Sequence, residues 1–116
     1  MIQTFRDLTV WQKAMELAVD VYSVSEPRSE VYGLTSQIRR AGVSIPSNIA
    51  EGKAIGGQSY LRHLKIAIGS ESELQTQIEL ARRLKMLSDR EAQNLMEQTA
   101  EVGRMLAALL KALPRN

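Results

Sequence analysis

Few residues in this chain have chemistry to offer. Cysteine is absent, so thiolate nucleophiles, disulfides and cysteine metal sites are excluded. His63 is the sole histidine. It follows Arg62 and precedes Lys65 by two residues, has no triad context, and reads as a surface residue. Di-iron bundles need paired Glu-x-x-His motifs, and the sequence has none. The Gly56-Gly57 pair fits no phosphate-loop pattern. The expectation is a non-enzymatic protein with no metal and no cofactor.

Glu71 is the one acid in an unexpected place. It falls in phase with Leu64, Ala67, Leu74 and Ile78, on the apolar face of a helix. A buried carboxylate needs a partner or must stay neutral. If the chain turns back near Gly56, Glu71 lies level with Ala41, beside Arg39 and Arg40. An ion pair from Arg39 or Arg40 to Glu71 is predicted as a structural lock on helix register, with Glu73 as the competing acid. No second acid shares the seam, so general acid–base work is not indicated.

The cations offer a different chemistry. No acid occurs between Gly52 and Ser70, while Lys53, Arg62, His63 and Lys65 all do. Such a cluster can neutralise phosphates; an ordinary solvated face is the alternative. A second run, Arg82 to Lys85, is offset by Glu79, Asp89 and Glu91. Aromatics make up 4% of the chain, so base stacking is not indicated. A formal net charge of +2 is too small to identify a nucleic-acid binder by itself.

The elements that position these groups are helical. The chain has 116 residues, enough for one domain with a real core. Four segments carry helical periodicity and none alternates as a strand. They span approximately 8–24, 32–53, 59–87 and 89–113. Asp7 is the candidate cap of the first, whose seam is Trp11, Ala14 or Met15, Ala18, and Val21 or Tyr22. "SEPRSE" then breaks the pattern. The second carries Leu34, Ile38, Ala41, Ile45 and Asn48 or Ile49. The third, with Ser59 as its expected cap, carries Tyr60, Leu64, Ala67, Glu71, Leu74, Ile78 and Ala81. Ser88 and Glu91 form a capping-box pattern before the fourth, whose seam runs from Ala92 through Leu95, Thr99, Val102, Leu106 and Leu109 to Leu113. Short connections imply an all-α, antiparallel up-and-down four-helix bundle in a single domain. Val10, Leu17, Val43, Ile55, Ile66 and Leu80 lie off these seams. They are either scattered surface apolars or a second contact face.

Pro46 sits inside the second segment. An interior proline costs roughly 3 kcal/mol, yet the seam keeps its phase across it. One bent helix is therefore favoured over a break capped by Ser44. Gly42, whose carbonyl loses its amide partner, is placed to yield, and Ser44, Ser47 and Asn48 offer nearby polar groups. Gln37, Arg40, Ser44, Ser47 or Asn48, and Glu51 form a polar stripe beside the seam. It is either a solvated face or a contact surface.

The blocks "FRDLTVWQKAMELA", "YGLTSQIRRAGVSIPSNIAEG", "LKIAIGSESELQTQIELARRL" and "EVGRMLAALLKAL" resemble the four-helix bundle proteins encoded in 23S rRNA intervening sequences. The match covers nearly the whole chain in order, and the second block is the most specific. Ala41-Gly42 departs from the two alanines frequent there. The resemblance implies a bundle assembled as a homopentamer. More distantly, the family is similar to the accessory variability determinant proteins of diversity-generating retroelements, which are pentameric, basic and associated with reverse transcriptase and nucleic acid. No apolar run approaches the ~20 residues that span a bilayer, and the N-terminus lacks a signal core. The expectation is a cytoplasmic homo-oligomer that binds RNA or a ribonucleoprotein partner through basic patches. A protein-interaction scaffold with no nucleic-acid role is the alternative.

Overall fold

A computed structural model describes residues 1–25 and 32–114. The chain opens with a 3-10 turn, Phe5–Asp7, followed by α1 (Thr9–Val24), α2 (Tyr32–Ile55), α3 (Gly57–Arg83) and α4 (Asp89–Ala112). Helix α1 packs on α2 and α4, and α3 packs on α2 and α4. Each helix thus has two neighbours, and the connections make successive helices antiparallel. This is an all-α four-helix bundle, drawn out to 46 Å along its axis.

The first turn shows why α1 starts where it does. Thr4, not Asp7, is the capping residue. Its hydroxyl accepts from the backbone, and the Asp7 carboxylate accepts from the Gln3 and Thr4 amides at 2.9 and 3.0 Å. Those amide bonds, Thr4's first, hold the Asp7 carboxyl below its ordinary value. Asp7 therefore completes the capping box that Thr4 opens on the 3-10 turn, and α1 begins from Leu8 with no side-chain cap.

The α1 core stripe is rotated from the expected one. Val10, Ala14, Leu17, Ala18 and Val21 are buried, while Trp11 is only half-buried and Met15 and Tyr22 are exposed. Val10 and Leu17 belong to the core rather than to a second face. Val43, Ile55, Ile66 and Leu80 do lie exposed. The stripes of α2, α3 and α4 follow their predicted phase: Ile38, Ala41, Ile45 and Ile49 meet Leu64, Ala67, Leu74 and Ile78, closed by Leu95, Val102 and Leu106. Burial of these aliphatic chains, at about 1.5–3 kcal/mol each, is the main stabilising term. Ser88 and Glu91 cap α4 reciprocally, at 3.0 and 2.9 Å.

Helix α2 runs unbroken through Pro46. The proline is buried, so its ring adds apolar contact that offsets part of the lost hydrogen bond. Asn48 Nδ2 donates to the Ser44 carbonyl at 2.8 Å and to Ser44 Oγ at 3.1 Å, bracing the turn around the ring. Gly42 is not sterically required there. A Cβ at that position would make ordinary 3.7 Å contacts with Val21. The "SEPRSE" break falls outside the described residues, apart from its first serine. Ser25 is buried and its hydroxyl donates to the Val21 carbonyl.

Candidate nucleic-acid interface

The end of the α2–α3 hairpin gathers the predicted cations. The turn is a single residue, Gly56, and both Gly56 and Gly57 have positive φ, at 82° and 57°. Glycine adopts that conformation without the Cβ penalty, which is why the two helices can reverse so tightly. Gly56 also stands where Ser59 was expected as the cap of α3, and supplies no side-chain bond. Here the positive end of the α3 dipole lies beside the negative end of α2, so side chains set the local potential.

Arg62 and Lys65 are exposed one turn apart on α3, and Lys53 lies half-buried in the last turn of α2. Lys53 Nζ stands 5.9 Å from the Tyr60 ring centre, which holds it against the hairpin without neutralising it. Burial pushes the Tyr60 phenol above its ordinary value. None of Lys53, Arg62 and Lys65 pairs with a carboxylate among the described residues.

His63 does not join them on the surface. It is 5% exposed, packed beneath the hairpin end. Its Nδ1 is 2.7 Å from the Ser59 carbonyl, an acceptor, so Nδ1 carries a proton. The other nitrogen, Nε2, faces Glu51 at 3.5 Å. His63 is therefore packed into the hairpin rather than offered to a phosphate, with the exposed Glu51 carboxylate beside it. Close packing makes this possible: a Cβ on Gly52 would lie 2.8 Å from His63 Cβ and 3.3 Å from the Tyr60 Cα. The signal was available in the sequence, because position 63 stands at i+3 from Tyr60 and i−4 from Ala67.

The predicted ion pair to Glu71 does not form. Arg39 turns toward α1, donating to the Ser25 carbonyl and, at 3.2 Å, to Ser25 Oγ, and it lies 4.4 Å over the Tyr22 ring. Arg40 is exposed, with only a long 3.4 Å contact to Ser36 Oγ. Glu71 is buried as expected but faces α4, where a Cβ on Gly103 would stand 2.7 Å from its carboxyl carbon. Its partner is the Gln75 amide, one turn along α3. Glu71 thus points around the helix to α4 rather than to α2.

The polar stripe is divided. Gln37, Arg40, Ser47 and Glu51 are exposed, whereas Ser44 is half-buried and its hydroxyl bonds Ser70 of α3 at 2.8 Å. That bond and the Asn48 brace make the stripe partly a seam between α2 and α3. At the far end of α3, Arg82 and Arg83 both donate to Glu79, at 2.7 and 2.9 Å. Arg82 first, then Arg83, lowers the Glu79 carboxyl to about 2. This cluster is internally compensated, unlike the hairpin end. Among the described residues no group of acids and histidine could hold a metal ion.

The fold is matched by known proteins. Residues 6–108 match the family described as 23S rRNA-intervening sequence protein. The chain belongs to that family. A solved structure of similar fold is that of a protein of unknown function from the S23 ribosomal protein family of Bacteroides thetaiotaomicron. It has a TM-score of 0.82 and 23% identity, over 90% of this chain and 100% of the other. At that identity the likeness establishes the fold of this intervening-sequence protein. A comparison with curated proteins finds no match.

Proposed function

We propose that this intervening-sequence protein is a non-enzymatic, cytoplasmic, homo-oligomeric bundle. It binds RNA, free or within a ribonucleoprotein, through the hairpin end formed by α2 and α3. The observation that carries the proposal is the trio Lys53, Arg62 and Lys65, none of which pairs with a carboxylate among the described residues. Phosphate contacts made by such cations are largely independent of sequence. The family description names an rRNA insertion, which supports RNA as the polyanion. Binding of structured RNA, titrated against salt, tests it.

Self-association is supported by large apolar residues left in water. Met15 and Val19 form an exposed strip on α1, Ile66 and Leu80 are exposed on α3, and Leu84 is exposed at its C-cap. The two strips lie on different helices, which suits a head-to-tail ring. Five copies are what the sequence resemblance implies, and a ring would multiply the basic ends presented to one RNA. The same apolar strips favour the second reading, a scaffold for a protein partner. A partner that co-purifies after nuclease treatment would support the scaffold over RNA binding. No helix among the described residues is long and apolar enough to cross a membrane.

A further inference from the structure

A groove of about 490 Å³ lies between α1 and α2, away from the hairpin end. Its lining includes Tyr22, Thr35, Ser36, Arg39, Arg40 and Val43. Three independent features mark it as unsatisfied. Thr35 is 3% exposed, and its Oγ1 has no hydrogen-bond partner, whereas buried hydroxyls are almost always paired. Arg39 and Arg40 are sequence neighbours without a carboxylate partner, and no acid lines the groove among the described residues. The opposite wall is apolar and flat: the Tyr22 ring, under the Arg39 guanidinium at 4.4 Å, and Val43.

Each feature constrains the ligand. An uncompensated guanidinium fork with hydroxyls beside it suits an oxyanion, phosphate above all. Arg39 is already held by Ser25, so it contributes fixed charge and a surface stacked on Tyr22, while Arg40 is free to close on the anion. Aromatic rings and guanidinium planes are surfaces on which nucleobases stack. The volume falls within the ~300–1,000 Å³ typical of small-molecule sites.

We infer that the α1–α2 groove binds a nucleotide, with its phosphate on Arg40 and the Thr35 and Ser36 hydroxyls, and its base against Tyr22, Arg39 and Val43. This site is separate from the basic hairpin end and does not require it. The same chemistry could be presented by a free mononucleotide or by one residue of an RNA strand.

Amide chemical shifts of the full chain, followed during titration with adenosine monophosphate, adenosine, inorganic phosphate and a short oligoadenylate, test the inference. The monophosphate should produce saturable shifts confined to the α1–α2 groove and bind at least tenfold more tightly than adenosine or phosphate alone. Tighter binding of the oligoadenylate that survives K53E/R62E/K65E assigns the nucleotide to an RNA strand; equal or weaker binding assigns a free mononucleotide. Arg40→Gln should weaken binding at least tenfold. Thr35→Val should weaken it several-fold with no loss of thermal stability, since no bond in the free protein is broken. Absence of saturable shifts at millimolar nucleotide, or unchanged affinity in Arg40→Gln, overturns the inference. So do groove shifts that follow protein dilution alone, which would assign the groove to a contact between copies.

Discussion

Gly52 and His63 approach so closely that a single methyl group cannot be placed between them: a Cβ at position 52 would lie 2.8 Å from His63 Cβ. That contact closes the hairpin end, buries the imidazole and brings Nε2 to Glu51. It therefore connects the packing of α2 on α3 to the charge left on the surface.

Gly52→Ala should destabilise the protein by about 1–3 kcal/mol, the usual cost of overpacking, despite alanine's better helix propensity. Gly69→Ala is the control. It lies exposed in mid-helix with nothing within 4 Å of the added Cβ, so it should stabilise by up to about 1 kcal/mol. Urea denaturation midpoints compare the two, and a Gly52→Ala midpoint at or above wild type would refute the contact.

Arg40→Ala should change stability by less than about 0.5 kcal/mol, as surface substitutions do. Breaking a buried ion pair by removing one partner costs about 3–5 kcal/mol, so this measurement separates the observed arrangement from an Arg40–Glu71 pair. Glu71→Gln keeps an acceptor for Gln75 at a buried position that has no cation partner among the described residues. It should raise the urea midpoint.

The Glu79 carboxyl, at about 2 against its ordinary 4.5, should titrate at that value by carbon-detected NMR. A carboxyl depressed in the folded state contributes stability above its unfolded value. That contribution is lost as pH falls from about 4.5 through about 2. Glu79→Gln should flatten this part of the acid-unfolding curve and leave the protein's response above pH 5 nearly unchanged. Arg82→Gln and Arg83→Gln together should return the Glu79 carboxyl toward its ordinary value.

Much of this was legible in the sequence. The stripes of α3 and α4 keep one apolar row each, so their period identifies the buried face, and Ser88–Glu91 announced the α4 start. In the α1 stripe Ala14, Ala18 and Val21 were read, but Val10 and Leu17 were missed because Val10, Trp11, Met15, Leu17, Val19 and Tyr22 surround the helix with apolar groups. Period alone then does not choose between Trp11 and Leu17. Chain reversal near Gly56 could not give the direction of Glu71, which depends on α4 and Gly103. His63 was hidden by its charged sequence neighbours, although adjacent residues on a helix point about 100° apart. The Arg39–Ser25 contact depends on how α1 ends, and no periodicity carries that information.

The most direct test of the proposed RNA contact is the affinity for a structured RNA, measured between about 50 and 200 mM salt, for wild type and the K53E/R62E/K65E variant. Three phosphate contacts per engaged copy predict a log–log salt slope of about −2 to −3. The variant, with three exposed or half-exposed positions reversed and the core untouched, should remain folded by circular dichroism and lose at least tenfold in affinity. A folded variant with wild-type affinity and an unchanged salt slope would contradict the account.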